Sequence, residues 1–140
     1  MTAEILHASC VAVEGRGLLI LGPSGAGKSS LALRLVSLGA ALVSDDLTRV
    51  ARGGDGLVAS CPKAEFRGLI EARGLGLLRA PWIESADIAL VVDLGQVESQ
   101  RLPPVRTVTI LGTEVPLVLH AQNDHFPDAL MLYLKHGRQA

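Results

Sequence analysis

Three observations predict an α/β domain with a mixed sheet, several β-hairpins and few helices. First, between Leu18 and Leu38 an apolar β-type run enters a glycine-rich loop and leaves as an amphipathic helix. Second, glycine-containing turns separate further apolar runs near residues 14–17, 53–56 and 112–113, and such turns between β-type runs signal hairpins. Third, helical periodicity returns only near the C-terminus. Repeated hairpins argue against a purely parallel, doubly wound sheet.

The elements follow in order. Leu6 to Val13 reads as a strand, Glu14-Gly15-Arg16-Gly17 as a tight turn, and Leu18 to Leu21 as a second strand. Lys28 to Leu38 carries Leu31, Leu35 and Leu38 at helical spacing, and Gly39 ends that helix. Ala41 to Ser44 is a short strand running into Asp45-Asp46. Thr48 to Ala59 forms a hairpin that turns at Gly53-Gly54-Asp55-Gly56, and Gly68 to Leu78 reads as loop plus strand. Ile88 to Val92 is a buried strand. Thr107 to Ile110 and Val115 to Leu119 flank Gly112-Thr113 as a late hairpin. Pro127 to Lys135 is the terminal helix, with proline in its first turn.

Bulk properties narrow the function. A chain of 140 residues has room for one hydrophobic core, so residues 1–140 are expected to form a single domain without a separate N-terminal one. Thirteen basic residues against fourteen acidic ones give no electrostatic reason to expect nucleic acid or an anionic membrane as partner. Only 3% of residues are aromatic, too few for a base-stacking surface. Cys10 and Cys61 match no metal or redox spacing and read as incidental thiols of a reducing compartment. Without a signal sequence or an apolar run of membrane length, a cytoplasmic protein is expected.

The chemistry begins at Gly22-Pro23-Ser24-Gly25-Ala26-Gly27-Lys28-Ser29, a complete phosphate loop of the form G-x-x-x-x-G-K-[ST]. Its glycines let successive backbone N–H groups curl around an anion, and the following helix N-terminus adds partial positive charge. Lys28 is expected to reach the β- and γ-phosphates of ATP and the Ser29 hydroxyl to meet Mg²⁺. A crossover helix returns the chain to the same sheet edge, where strand alternation would turn one of Asp45 and Asp46 toward the nucleotide and the other away. A carboxylate there could hold Mg²⁺ through water or accept a hydroxyl proton. If Gly15-Arg16 centre the first turn, His7 falls beside Ser24, although a lone histidine at a strand end is more often structural. Glu71, between Arg67 and Arg73, is open to a metal or an ion-pair role. Ile88 to Asp93 has the apolar-then-aspartate form of a Walker B strand and makes Asp93 a rival metal ligand to Asp45. His120, His125 and His136 show no ligand spacing and read as structural or surface residues.

Together these residues resemble the catalytic domain of HPr kinase/phosphorylase, a family that phosphorylates a serine of HPr, the small phosphocarrier of the bacterial sugar phosphotransferase system. The resemblance rests on His7, the Gly22–Ser29 loop, Ser44-Asp45-Asp46 and Leu69-Ile70-Glu71-Ala72-Arg73-Gly74-Leu75-Gly76, and covers about His7 to Leu78. It implies a P-loop nucleotide-binding domain of the HPr kinase/phosphoenolpyruvate carboxykinase-like type. It implies ATP and Mg²⁺ as cofactors and an HPr-like phosphocarrier as partner. It also implies Asp46 as general base, Lys28 and His7 beside it, and Ser29 and Glu71 around the metal. The stretch Leu117 to Asp124 lacks the arginine that the family places in a Gly-Arg-Asn-like loop, the C-terminal helix is short, and the sequence looks like a single-domain branch. Phosphorylase activity, metabolite control and the family hexamer therefore lie outside what the resemblance implies. Two other readings stay open. A small-molecule kinase would use the same loop but ordinarily needs an arginine-rich lid, and none is evident. A regulatory NTP-binding module would bind nucleotide whether or not Asp46 is present.

Overall fold

The computed structural model describes residues 2–140. Nine strands form one mixed sheet: β1 (Ala3–Leu6), β2 (Ser9–Val13), β3 (Arg16–Leu21), β4 (Ala41–Ser44), β5 (Thr48–Gly53), β6 (Gly56–Ser60), β9 (Ser85–Val97), β10 (Arg106–Ile110) and β11 (Thr113–His120). A separate two-stranded hairpin holds β7 (Leu69–Ala72) and β8 (Gly76–Arg79). The α-helices among the described residues are α1 (Lys28–Ser37) and α2 (Phe126–His136). None of them is long and apolar enough to cross a membrane. The mixed sheet, the hairpins and the small helix content expected from the sequence are all present.

Strands follow the order β1-β5-β6-β9-β3-β2-β4, with β11 and then β10 branching from β9. Because β1 runs into β2 and β4 into β5, the chain joins both ends of that order and the sheet curls on itself. Leu6 stands opposite Thr48 and Cys10 opposite Ser44, so one antiparallel register holds on both sides of the gap between them. His7–Ser9 therefore lie across from Asp45–Leu47. The expected single strand Leu6–Val13 is broken here, because Ala8 N–H donates to Asp46 O at 3.1 Å and Thr48 Oγ1 donates to Ala8 O at 2.8 Å in place of regular ladder bonds.

Two cores follow from the curl. On the outer face Val11, Leu18, Ile20 and Leu90 pack against Leu31 and Leu35 of α1 and Leu130 and Leu134 of α2. Inside the curl Cys10, Ala12, Leu19, Val50, Leu57 and Val91 meet one another. Strand β2 is buried along its whole length, because it has a core on each face.

Several boundaries differ from the sequence reading for physical reasons. The first hairpin turns on Glu14-Gly15, which both take positive φ (52° and 80°), and pairs Val13 with Arg16. A two-residue turn of that hand matches strand twist, whereas a turn centred on Gly15-Arg16 would force Arg16 into the left-handed region. The expected pairing of His7 beside Ser24 is therefore out of register. Leu38 is 37% exposed and sits past the last helical turn. There Ala40 N–H bonds Leu35 O and Gly39 N–H bonds Val36 O, both at 3.0 Å, with Gly39 at φ 113°. Strands β3 and β4 are parallel but not neighbours, since β2 lies antiparallel between them. Gly68 to Leu78 is a hairpin of its own rather than loop plus strand, and β9 extends well beyond Ile88–Val92 at both ends.

Two polar contacts tie the C-terminal half to this frame. The Arg16 guanidinium donates to Leu134 O at 2.9 Å and Lys135 O at 2.8 Å, capping the last carbonyls of α2. Replacing Arg16 with alanine should lower stability by about 1 kcal/mol, read as a Tm drop of a few degrees. Arg106 clasps Glu98 through Nε and Nη2, both at 3.1 Å, across the β9–β10 connection. That clasp, with help from the Ser99 and Gln100 amides, holds the Glu98 carboxyl below the usual carboxylate range. Its contribution to stability is complete above the unfolded-state value and is lost as pH falls through the lowered native value. Acid unfolding of Glu98→Gln should lack that component, and identical acid profiles for the two proteins would contradict it.

Candidate active site

The phosphate loop leaves the C-terminal end of β3, and its conformation requires its glycines: Gly22, Gly25 and Gly27 take φ of 152°, 84° and 97°. Gly27 is the N-cap of α1, and no side chain bonds the first-turn amides. Those N–H groups and the helix dipole therefore face the loop without a protein partner, the usual arrangement for binding phosphate. Lys28 folds back over the loop and donates to Gly22 O at 2.7 Å and Pro23 O at 3.1 Å. An ammonium has three N–H bonds, so one donor remains for an anion.

Asp45 lies at the end of β4, where the Ser29 hydroxyl reaches its Oδ1 at 2.8 Å. Ser9 of β2 donates to the same oxygen at 2.8 Å, and the Glu71 amide approaches Oδ2 at 3.4 Å. Asp46 follows at φ 68°, and Leu47 N–H donates across it to Asp45 O at 2.7 Å. This is a γ-turn of positive φ, a rare and strained conformation for a residue with a side chain. Its surroundings hold it in place. Among the described residues the buried polar side chains are Ser9, Ser44 and Thr48. Ser9 binds Asp45, Ser44 donates to Leu47 O, and Thr48 donates to Ala8 O opposite the turn.

Asp45, Asp46, Ser29 and Glu71 line one cleft of about 330 Å³, together with Lys63 and Phe66. The alternation that would send the two aspartates to opposite faces does not operate, because Asp46 has left the strand. Exposed Asp46 lines the cleft at the apex of the turn, and half-buried Asp45 points at the phosphate loop. His7 sits in the break between β1 and β2, one residue from the Ala8–Asp46 bond. It is exposed and makes no side-chain hydrogen bond among the described residues. Asp93 is not brought to this cleft. Its carboxylate accepts from Gly95 N–H and Gln96 Nε2, both at 2.8 Å, and so staples the bulge where β9 slips against β11.

The oxygens gathered here suit a hard cation. Ser29 and Asp45 touch, and Glu71 faces the same cleft. No group of three His, Cys, Asp or Glu side chains among the described residues forms an all-protein metal cage. Mg²⁺ ordinarily takes one or two carboxylates, water and substrate phosphates, so the residues fit it. Sequence reasoning missed Ser9 and Lys63. A lone serine opening a fully apolar strand was the available signal for Ser9, whereas nothing local marks Lys63. The thiols are as expected: burial pushes Cys10 up to about 12, and Cys61 at the cleft donates to Lys63 O at 3.2 Å.

Comparison with known proteins gives the family and the fold. The profile of the family described as HPr Serine kinase C-terminal domain matches residues 1–118, extending past Leu78. An HPr kinase/phosphorylase of an Exiguobacterium species is 38% identical over 131 residues, covering 84% of this chain and 41% of that protein. The HPr kinase/phosphorylase of Aromatoleum aromaticum is 42% identical over 124 residues, covering 79% and 39%. The chain thus spans about two fifths of the length of these curated relatives. Among solved structures, the Hpr(Ser) kinase/phosphatase from Coxiella burnetii superposes with a TM-score of 0.75 at 27% identity, covering 94% of this chain and 93% of that one.

Removing the Ser9 hydroxyl takes a donor from Asp45 and leaves the turn less restrained. Ser9→Ala should lower stability by about 1–3 kcal/mol, seen as a reduced urea midpoint at unchanged m-value. An unchanged midpoint would mean that Ser9 does not hold the turn.

Proposed function

Because the chain belongs to the HPr serine kinase C-terminal domain family, we propose that it transfers the γ-phosphoryl group of ATP, with Mg²⁺, to a serine hydroxyl of an HPr-like phosphocarrier protein. The observation that carries this reading is the meeting of the phosphate loop and the strained turn: Ser29 Oγ lies 2.8 Å from Asp45 Oδ1, and Asp46 lines the same cleft. A phosphate loop alone serves many functions. A loop joined to Asp45, with Asp46 beside it at positive φ in the same cleft, supports the further reading of a phosphoryl-acceptor site.

Each residue has a part in this reading. Free backbone N–H groups of the Gly22–Ser29 loop cradle the phosphates, and Lys28 draws negative charge from the transferring group. Mg²⁺, when bound, neutralises the β- and γ-phosphate oxygens, and Ser29, Asp45 and Glu71 are the residues that would hold it. Asp46 orients the acceptor serine and takes its proton as the serine oxygen bonds the γ-phosphorus. The bond from that phosphorus to the bridging oxygen breaks, and ADP leaves. His7, across the strand pair from this turn, completes the catalytic group with Lys28 and Asp46.

The test mixes the purified chain with Mg²⁺, γ-labelled ATP and an HPr protein, then maps the label by mass. The label should appear on one serine, and Lys28→Ala or Asp46→Asn should reduce transfer at least about 100-fold. Full transfer by Asp46→Asn would remove Asp46 from the role of base. ATP binding without transfer to HPr would favour a metabolite kinase or a nucleotide-sensing module.

A further inference from the structure

The phosphate loop has a cleft on each side. One, described above, holds Ser29, Asp45, Asp46 and Glu71 and belongs to the acceptor. The other, about 290 Å³, is bounded by Ala26 and Gly27 of the loop, Arg34 of α1, and His120, Asn123 and Asp124 from the connection between β11 and α2. Its size is at the small end of ligand clefts, about 300 Å³. The topology makes it part of the ligand edge. Strands β3, β9 and β11 run parallel, so the phosphate loop and the β11–α2 connection leave the sheet on the same side.

A nucleoside triphosphate is an elongated molecule. With its γ-phosphate beside Asp46, its nucleoside end leaves the loop away from the acceptor, and the second cleft abuts the loop at Ala26 and Gly27. We infer that this second cleft is the nucleoside subsite, with Asn123 reading the edge of a purine base. The inference rests on the phosphotransfer reading and extends it to residues beyond 118, which the family profile does not match.

The chemistry of the lining fits a nucleoside. His120 and Phe126 pair with ring centroids 5.5 Å apart and planes tilted by 39°, giving one wall a flat, largely apolar character suited to a base. The Asn123 amide offers a donor and an acceptor side by side, the pair that matches an adenine amino group and its neighbouring ring nitrogen. The Asp124 carboxylate is an acceptor for ribose hydroxyls. Arg34 is exposed, and the ion pairs among the described residues are Arg67–Glu84 and Arg106–Glu98, so its guanidinium is free to meet the nucleotide. Asn123 and Asp124 are exposed as well, and substituting them disturbs no core packing.

Equilibrium binding by calorimetry separates this inference from the reading beneath it. The probes are ATP, GTP and inorganic tripolyphosphate, each with Mg²⁺, against the unaltered chain and the Asn123→Ala, Arg34→Ala and Lys28→Ala variants. Asn123→Ala should weaken ATP roughly ten-fold or more, the effect of losing a bidentate pair, and should erase the preference for ATP over GTP. Arg34→Ala should also weaken ATP. Tripolyphosphate affinity should stay unchanged in Asn123→Ala, which also shows that this variant is folded, and should fall in Lys28→Ala. ATP affinity within two-fold of the unaltered chain in both Asn123→Ala and Arg34→Ala would overturn the subsite. So would tripolyphosphate binding as tightly as ATP. If the unaltered chain bound neither ATP nor tripolyphosphate, the phosphate-loop reading itself would fall, and this inference with it.

Discussion

The Asp45 carboxylate is the point on which the rest of the site depends. A half-buried carboxyl group must be met by hydrogen-bond donors, or its desolvation goes uncompensated. Asp45 collects them from three distant segments: Ser9 on β2, Ser29 at the head of α1 and the Glu71 amide on β7. The requirement of one carboxylate thus fixes the phosphate loop, the central antiparallel pair and the small hairpin relative to one another. Asp46 inherits its position from that arrangement, because the residue before it is held by its side chain and the residue after it by the backbone.

The curl of the sheet supports this point from beneath. Leu6 opposite Thr48 and Cys10 opposite Ser44 keep a single register across the break, with regular β1–β5 pairing on one side of Asp46 and a bulge between Cys10 and Val11 on the other. The hydroxyls of Ser9, Ser44 and Thr48 replace the ladder bonds that those residues give up. An unmade buried hydrogen bond costs more than a made one contributes, so the turn cannot relax toward a regular strand without orphaning those hydroxyls. The inner face is lined largely by small or β-branched residues such as Ala8, Cys10, Ala12, Val50 and Ala59, which lets the sheet close tightly.

Much of this was legible in the sequence. The phosphate loop is a contiguous pattern, and its glycines are dictated by the backbone itself, so eight residues sufficed. The hairpins near Gly54-Asp55 and Gly112 also declared themselves through their glycines, although the second turns on Leu111-Gly112, one residue ahead of the expected Gly112-Thr113. Features that depend on partners far along the chain were harder to read. The break at His7–Ala8 is set by Asp46 and Thr48, forty residues away in sequence, and Leu6 to Val13 alternates no differently from one continuous strand. The first turn was misplaced by one residue because Glu14 enters the left-handed region at modest cost. The placement of Asp93 was not legible, because an apolar strand ending in aspartate looks the same whether the carboxylate faces the Asp45 cleft or its own bulge. Ser9 was missed because a buried serine gives no local sign of what its hydroxyl meets.

The two thiols have a practical consequence. Cys10 is fully buried and its thiolate is strongly disfavoured, whereas Cys61 is partly exposed at the rim of the cleft that holds Asp46. Thiol-directed reagents attack thiolates, so they discriminate between the two sites without mutagenesis. A small environment-sensitive fluorophore attached to the native chain would sit at Cys61 alone. The protein therefore carries its own attachment point for an optical sensor, and the filling of its cleft can be followed in real time.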